Sequence, residues 1–321
     1  MSKISVIGCG RWGSFLAHYS AENCKHDVKL YGRKNSVKFQ ELQSSGKNKY
    51  LTLSKNVELI NNLEKALKSE IIIISIGCQN LRDLSRQINS FNVQGKAFLL
   101  CMKGMENGTG KRLSQVVEEE IKQDIKVAVW LGPGHVQYYM KNIPNCTVMD
   151  SEDSELTKNL VDKFDSKLIR FYYGNDLIGN EIGAAMKNVM GIAAGMLDGL
   201  GFTSLKGALM ARGAREVARY IKVMGGKELS AYGLAHLGDY EATLFSEHSH
   251  NRKFGESFAR GEKFDKLAEG VETIKAVKQI VDSSNINMPI STALYSIIFE
   301  NKDPKQIILG LFEREVKKEF I

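Results

Sequence analysis

A lysine stands near the middle of the run Gly179 to Gly201, GNEIGAAMKNVMGIAAGMLDGLG, which is otherwise dominated by Ala, Gly and Met. A cation held among small apolar side chains either pairs with a carboxylate or moves protons, because burial disfavours its charged form. Lys187 is therefore a candidate general acid/base, and a structural ion pair with Glu181 or Asp239 is the plain alternative. Polar residues cluster at three places in this half of the chain. They are Lys187-Asn188, the stretch GLAHLGDYEAT (233 to 243) with Asp239 and Thr243, and SEHSHNRKFG (246 to 255) with Ser249, His250, Asn251 and Arg252. The last is basic, bears a hydroxyl and ends in Gly255, a composition that suits a phosphate and otherwise reads as a solvated loop. A second kind of chemistry is encoded at the N-terminus, where GCGRWG (8 to 13) follows KISVI (3 to 7). Gly8 permits a tight turn, Gly10 lets backbone approach a pyrophosphate, and Gly13 allows close helix–strand packing. Arg11 and Trp12 lie in the same turn, at the expected cofactor.

These groups need a scaffold. KISVI, the glycine turn, a helix from Ser14 to Glu22 and the strand DVKLY (27 to 31) form a strand–turn–helix–strand unit of the dinucleotide-binding kind. Where the second strand ends, the chain has Gly32-Arg33-Lys34 instead of an acid. Two cations there favour the 2′-phosphate, so NADP is expected ahead of NAD. The alternation continues with strands at 71 to 77, 96 to 101, 126 to 131, 145 to 150 and 167 to 173 and helices at 80 to 90, 110 to 122 and 152 to 164. Such regularity predicts a doubly wound parallel sheet, with ligands beyond the carboxyl ends of its strands. Gly77, Lys103 and Gly132 to His135 fall at those ends. Lys103 is placed to reach a substrate, and Gly132 and Gly134 expose bare backbone amides. From 179 onward the patterns are helical, at 204 to 224, 228 to 235, 252 to 260, 271 to 283, 289 to 299 and 304 to 318. The expected architecture is an α/β dinucleotide-binding domain over 1–178 and an all-α substrate domain over 179–321, with Lys187 facing the cleft between them.

The run around Lys187 also invites reading as a membrane span, but Glu181, Lys187, Asn188 and Asp198 interrupt it, and polar groups in hydrocarbon are costly. No membrane insertion is expected. The net charge is +7 over 321 residues with the basic residues scattered, which argues against a nucleic-acid partner and for affinity toward small anions. Five cysteines, Cys9, Cys24, Cys78, Cys101 and Cys146, are widely spaced without a CxxC pair, as in a reducing cytoplasm. The first strand begins within four residues of Met1, leaving no room for a signal peptide. No metal is expected.

Taken with their order and spacing, the motifs are specific. The chain resembles the NAD(P)-dependent glycerol-3-phosphate dehydrogenase family of the bacterial type, over nearly its full length. The matching pieces are GCGRWG, Lys103-Gly104, Gly132-Pro133, the run 179 to 201, ARG (211 to 213), GLAHLGDYEAT, SHNRKFG, EGVET (269 to 273) and MPI (288 to 290). The resemblance implies reversible reduction of dihydroxyacetone phosphate to sn-glycerol 3-phosphate in the cytoplasm, supplying phospholipid synthesis, and it admits a homodimer. It makes Lys187 the general acid/base. It places Lys103, Asn188, Asp239, Thr243, Ser249 and Asn251 around the substrate, and Trp12, Arg33, Lys103, Val136 and Glu269 at the cofactor.

The chain departs from the family pattern twice. Ser249-His250-Asn251 replaces Ser-Arg-Asn, exchanging a phosphate-gripping arginine for a weaker, pH-dependent cation for which Arg252 is the candidate substitute. Gly132-Pro133-Gly134-His135-Val136 replaces a GPSFA-like run, so a hydroxyl near the substrate is missing at Gly134. Two alternatives stay open, the first motivated by the loss of arginine at 250 and the second opposed by the retention of Lys187, Asn188, Asp239 and Thr243. One is a dehydrogenase of the same fold acting on another small phosphorylated or carboxylated hydroxy compound. The other is a non-catalytic NAD(P)-binding regulatory relative.

Overall fold

The computed structural model describes residues 1–284, 286–316 and 318–319. Eight strands form one sheet: β1 (Lys3–Ile7), β2 (Asp27–Tyr31), β3 (Val57–Ile60), β4 (Ile71–Ile74), β5 (Ala97–Leu100), β6 (Lys126–Leu131), β7 (Asn145–Asp150) and β8 (Ile169–Tyr173). Their order across the sheet is β3-β2-β1-β4-β5-β6-β7-β8. The direction of travel reverses between β1 and β4, the point at which open α/β sheets leave a crevice for a ligand. Ile71 to Ile74 are buried on both faces, as expected of a central parallel strand with helices above and below.

The sheet is not wholly parallel as expected. β7 runs antiparallel to β6, while β8 is again parallel to β7. The connection from β6 to β7 holds only a four-residue helix, Val136–Tyr139, and does not carry the chain back along the sheet. The helix Ser154–Phe164 makes that return crossing between β7 and β8. The region between β2 and β4 holds structure that no pattern announced: the helix Val37–Ser45, the short edge strand β3 and the helix Leu63–Leu67. Four residues of half-buried edge strand are too few to show a period.

After β8 the described elements are helical. Helices Lys206–Val223, His250–Ala259, Glu269–Ser284, Pro289–Phe299 and Pro304–Gly310 surround one long helix, Leu177–Gly199. The last is shorter than the expected 304 to 318, and Lys317 lies outside the described residues. The segment expected as a helix at 228 to 235 is a 3₁₀ turn, Glu228–Tyr232. No helix among the described residues is long and apolar enough to cross a membrane.

The long helix starts at Asp176, whose carboxylate accepts from Gly179 N at 3.1 Å and from Ser230 Oγ and Lys227 N at 2.5 and 2.8 Å. Asp150, at the end of β7, accepts from Asp176 N and from Asn180 Nδ2, so the sheet holds the helix at its first turn. Along the helix, Gly179, Gly183, Lys187, Gly191, Gly195 and Gly199 recur every four residues and make one ridge. The chain from Ser230 to Glu256 lies along that ridge in the same direction. A methyl group added at Gly183 would stand 2.9 Å from His236 Cβ; at Gly191, 2.7 Å from Thr243 Cγ2; at Gly199, 2.6 Å from the Glu256 carbonyl. At Gly195 it would overlap the Arg252 carbonyl outright. Lys187 is the one side chain on a ridge otherwise stripped to backbone.

This packing predicts opposite outcomes for two helical glycines. Gly195→Ala should lower the apparent melting temperature by several degrees, since the clash is with backbone and overpacking costs about 1–3 kcal/mol or more. Gly207→Ala, where a Cβ meets nothing within 4 Å, should leave it unchanged or raise it, by about 0.5–1 kcal/mol of helix propensity. Thermal melts of the two variants beside the parent check both.

Candidate active site

A cleft of about 880 Å³ opens at the carboxyl ends of β1, β4, β5 and β6 and is closed by the helical half. At its floor lie two lysines and one carboxylate. Lys187 Nζ is 2.8 Å from Asp239 Oδ2 and donates to Thr243 Oγ1, also at 2.8 Å. Lys103 Nζ, three residues past the end of β5, donates to the same Asp239 oxygen at 2.6 Å and to the Gly132 carbonyl at 2.6 Å. Asp239 is 1% exposed and Lys187 10% at the side chain. Burial pulls the Lys187 pKa down to about 8, Asp239 opposes the shift, and Lys103 adds to it. Each ammonium has three N–H donors and spends two on the protein, so one N–H on each remains for a ligand. Glu181, the other partner considered for Lys187, is engaged elsewhere, by Arg112 and Ser114.

The polar clusters meet here. Thr243 sits in a π-helical turn, Glu241–Phe245, a local distortion that is frequent at functional sites. Asn188 Nδ2 donates to the Lys103 carbonyl at 3.1 Å, Asn251 Nδ2 to Asn188 Oδ1 at 3.0 Å, and Gly270 N to Asn251 Oδ1 at 2.9 Å. This relay ties the β5 loop to three helices and fixes both amides. Ser249 lines the cleft and also caps the helix His250–Ala259, accepting from Arg252 N at 3.3 Å.

The expected phosphate end needs correction. Arg252 does not line the cleft. Its guanidinium pairs with Asp198 at 2.6 Å and Glu256 at 3.1 Å, and its Nε donates to the Ser246 carbonyl. Two residues along a helix from His250 is over half a turn round, so the two side chains diverge. His250 does line the cleft, and burial with the nearby Arg11, Lys266 and Lys253 holds its pKa below the ordinary value. Gly134 has φ +141°, and a side chain there would run into Tyr139. Gly132 is likewise left-handed, at φ +132°, and serves as the Lys103 acceptor instead of lining the cleft.

Of the residues expected at the cofactor, Gly8, Gly10, Arg11, Trp12, Arg33, Lys103, Val136 and Glu269 line the cleft. Gly8 has φ +123°, and a side chain there would overlap the Ser75 carbonyl of the β4 loop. Gly13 is packed beneath Gly8. Glu269 accepts from Cys78 Sγ at 2.6 Å, and burial raises its pKa. Lys34 points elsewhere, whereas Lys38 and Lys49, which the sequence reading passed over, line the cleft with Ser36. Lys38 Nζ lies 3.9 Å from where a Cβ on Gly10 would stand, above the glycine turn. Arg11 lies over the Tyr50 ring, 5.7 Å from its centre, and brings the 48–50 loop against the same turn. The density of basic residues just past β2 was the available signal for Lys38 and Lys49. His135, expected at a strand end but given no role there, lines the cleft beside Thr243.

Two family models match the chain. The one described as NAD-dependent glycerol-3-phosphate dehydrogenase N-terminus covers residues 3–157, and the C-terminus model covers 176–309. A glycerol-3-phosphate dehydrogenase [NAD(P)+] of Clostridium botulinum is 36% identical over 332 aligned positions, covering 99% of each chain. One of Staphylococcus aureus is 34% identical, covering 99% of this chain and all of its own. Among solved structures, a glycerol-3-phosphate dehydrogenase of Coxiella burnetii superposes with TM-score 0.90 at 27% identity, covering 98% of this chain and 99% of that one. The fold is shared with the Saccharomyces cerevisiae glycerol-3-phosphate dehydrogenase, at TM-score 0.81 and 22% identity, covering 95% of this chain and 98% of that one.

The shared carboxylate makes a prediction. Asp239→Asn leaves the buried Lys187 and the half-buried Lys103 without their shared counter-charge, and breaking a buried pair costs about 3–5 kcal/mol. It should move Lys187 still further below its present value of about 8. Acylation of Lys187 followed by peptide mass mapping across pH should show its labelling midpoint displaced downward in the variant.

Proposed function

We propose, since the chain belongs to the NAD-dependent glycerol-3-phosphate dehydrogenase family, that Lys187 is the proton donor and acceptor of the reaction. The protein is an NAD(P)-dependent oxidoreductase that interconverts dihydroxyacetone phosphate and sn-glycerol 3-phosphate. The observation that carries the role of Lys187 is its place in the cleft lining, with the amine held by Asp239 and Thr243.

The residues present fit a dinucleotide. The glycine turn is bare toward the cleft at Gly10, is folded tightly by Gly8 and opens the helix Arg11–Glu22. Gly8, Gly10, Arg11 and Trp12 would hold the pyrophosphate side, and Val136 and Glu269 the other end. The nicotinamide, when bound, supplies a hydride to substrate C2 in one direction and receives it in the other. As the C2 oxygen gains charge, an N–H bond of the Lys187 ammonium breaks and the O–H bond of the alcohol forms. In the reverse direction the neutral amine takes that proton back. Lys103, through its own remaining N–H, places a second cation near the oxygen while charge develops. Asn188, Asn251, Ser249 and Thr243 orient the substrate. With Arg252 turned away, the cations that line the cleft near His250 are Arg11 and Lys266.

The division into a cofactor-binding unit, 1–178, and a helical catalytic unit, 179–321, belongs to this reading. So do an NADP preference, supported by Arg33 and Lys38, a role in supplying phospholipid synthesis, a cytoplasmic setting supported by five free cysteines, and a homodimer.

Three measurements test the proposal. With Lys187 titrating at about 8, kcat/KM for ketone reduction should fall as pH rises through that value, because the donor is lost. For alcohol oxidation it should rise over the same range. Lys187→Ala should lose at least 10³-fold in turnover while binding NADPH as before; a variant that keeps turnover would remove Lys187 from the role. Arg33→Ala and Lys38→Ala should each weaken NADPH on the order of 10-fold, as expected of a lost charge-assisted contact, and leave NADH nearly unchanged. Equal effects on both cofactors would end the NADP assignment.

A further inference from the structure

We propose that His135 is a substrate-binding residue that accepts a hydrogen bond from the free primary hydroxyl of the triose phosphate. The inference rests on the reading of the site given above. His135 is 8% exposed and lines the cleft, at the start of the short helix Val136–Tyr139. Its Nε2 lies 3.0 Å from the Ala242 carbonyl. A carbonyl only accepts, so the proton is on Nε2 and the neutral ring presents Nδ1 as a bare lone pair. Nδ1 has no partner among the described residues and is not among the sealed polar atoms. On a ring otherwise buried, an acceptor left without a protein partner in the cleft wall is free to take a donor from a ligand.

The position of the ring is set from the catalytic side. Ala242, which fixes Nε2, is followed directly by Thr243, which holds Lys187. The ring is wedged between Tyr138 and His248, with centroids 5.9 and 5.6 Å away. Burial, together with Arg11 and Lys187, keeps it neutral by lowering its pKa to about 4, so the lone pair persists through the working pH range. Next door, Gly134 offers no side chain, and Tyr139 fills the space where one would project. An acceptor on this wall matches the hydroxyl at the end of the substrate away from the phosphate; an anion would find nothing to donate to it.

The test compares dihydroxyacetone phosphate with hydroxyacetone phosphate, which has a methyl group in place of that hydroxyl. The parent should prefer the first in kcat/KM by on the order of 10-fold or more, the worth of one hydrogen bond to a site built for it. His135→Phe, which keeps a ring without the lone pair, should collapse that preference toward one, mostly through KM. His135→Asn, whose Oδ1 stands near the place of Nδ1, should keep part of it. Calorimetric binding of sn-glycerol 3-phosphate and its 1-deoxy analogue should show the same contrast without turnover. A parent with no preference, or a preference that His135→Phe leaves intact, overturns the proposal. A parent inactive with both ketones overturns the functional reading and this inference together.

Discussion

One carboxylate oxygen holds two lysines from different parts of the chain. Lys103 arrives from the end of a sheet strand, Lys187 from the centre of a helix, and Asp239 from a turn that belongs to neither. Two ammonium groups this close repel strongly in a poorly hydrated site. Asp239 offsets that repulsion, and because it is almost fully buried it does so with little screening by water. The site therefore exists only when sheet, long helix and the 233–243 turn are all in place. The same arrangement leaves a surplus positive charge at the cleft floor, which suits an anionic substrate and an oxygen that becomes negative during reaction.

The long helix makes that meeting geometrically feasible. Its glycine ridge lets the 230–256 segment lie against helix backbone, so Thr243, Asp239 and Asn251 come within reach of a lysine that would otherwise be held off by neighbouring side chains. From the other flank, Gly270 comes close to the Asn188 carbonyl, where a side chain would not fit. Asp198, Arg252, Lys206 and Glu256 form an ion-pair network on the far side of the helix His250–Ala259 and hold it down. Arg252 thus does for the scaffold what its position beside His250 suggested it would do for the ligand.

Much of this was legible in the residues, for reasons that can be named. β1, β2, β6 and β7 have the bounds read from the sequence because each is a short apolar or alternating run that stops at a glycine or a polar residue. The glycine turn was legible because its context, strand before and helix after, restricts what such glycines can do. Lys187, Asn188, Asp239, Thr243, Ser249 and Asn251 meet in the cleft, and motif order was enough to group them. What failed depended on direction in space. Strand orientation at β7 is decided by how far the connecting chain travels, which composition does not record. Arg252 against His250, and Lys34 against Lys38, are choices between near neighbours that only helix phase and loop path make. His135 had a place at a strand end but no role, because a single histidine has no pattern; its meaning comes from the carbonyl that fixes its tautomer.

The four-residue interval of the glycine ridge carries an evolutionary consequence. A point substitution at one of these glycines is a local problem that a neighbour could relieve. Inserting or deleting one residue between Gly183 and Gly199 is different, because it rotates every later position by about 100° about the helix axis. The ridge positions beyond the change would then face different surroundings, and no single side-chain substitution would restore them. Drift in chain length should be confined to segments outside this helix, such as the 46–56 loop and the segment after Gly261, while the register from Gly179 to Gly199 stays frozen across descendants of this chain.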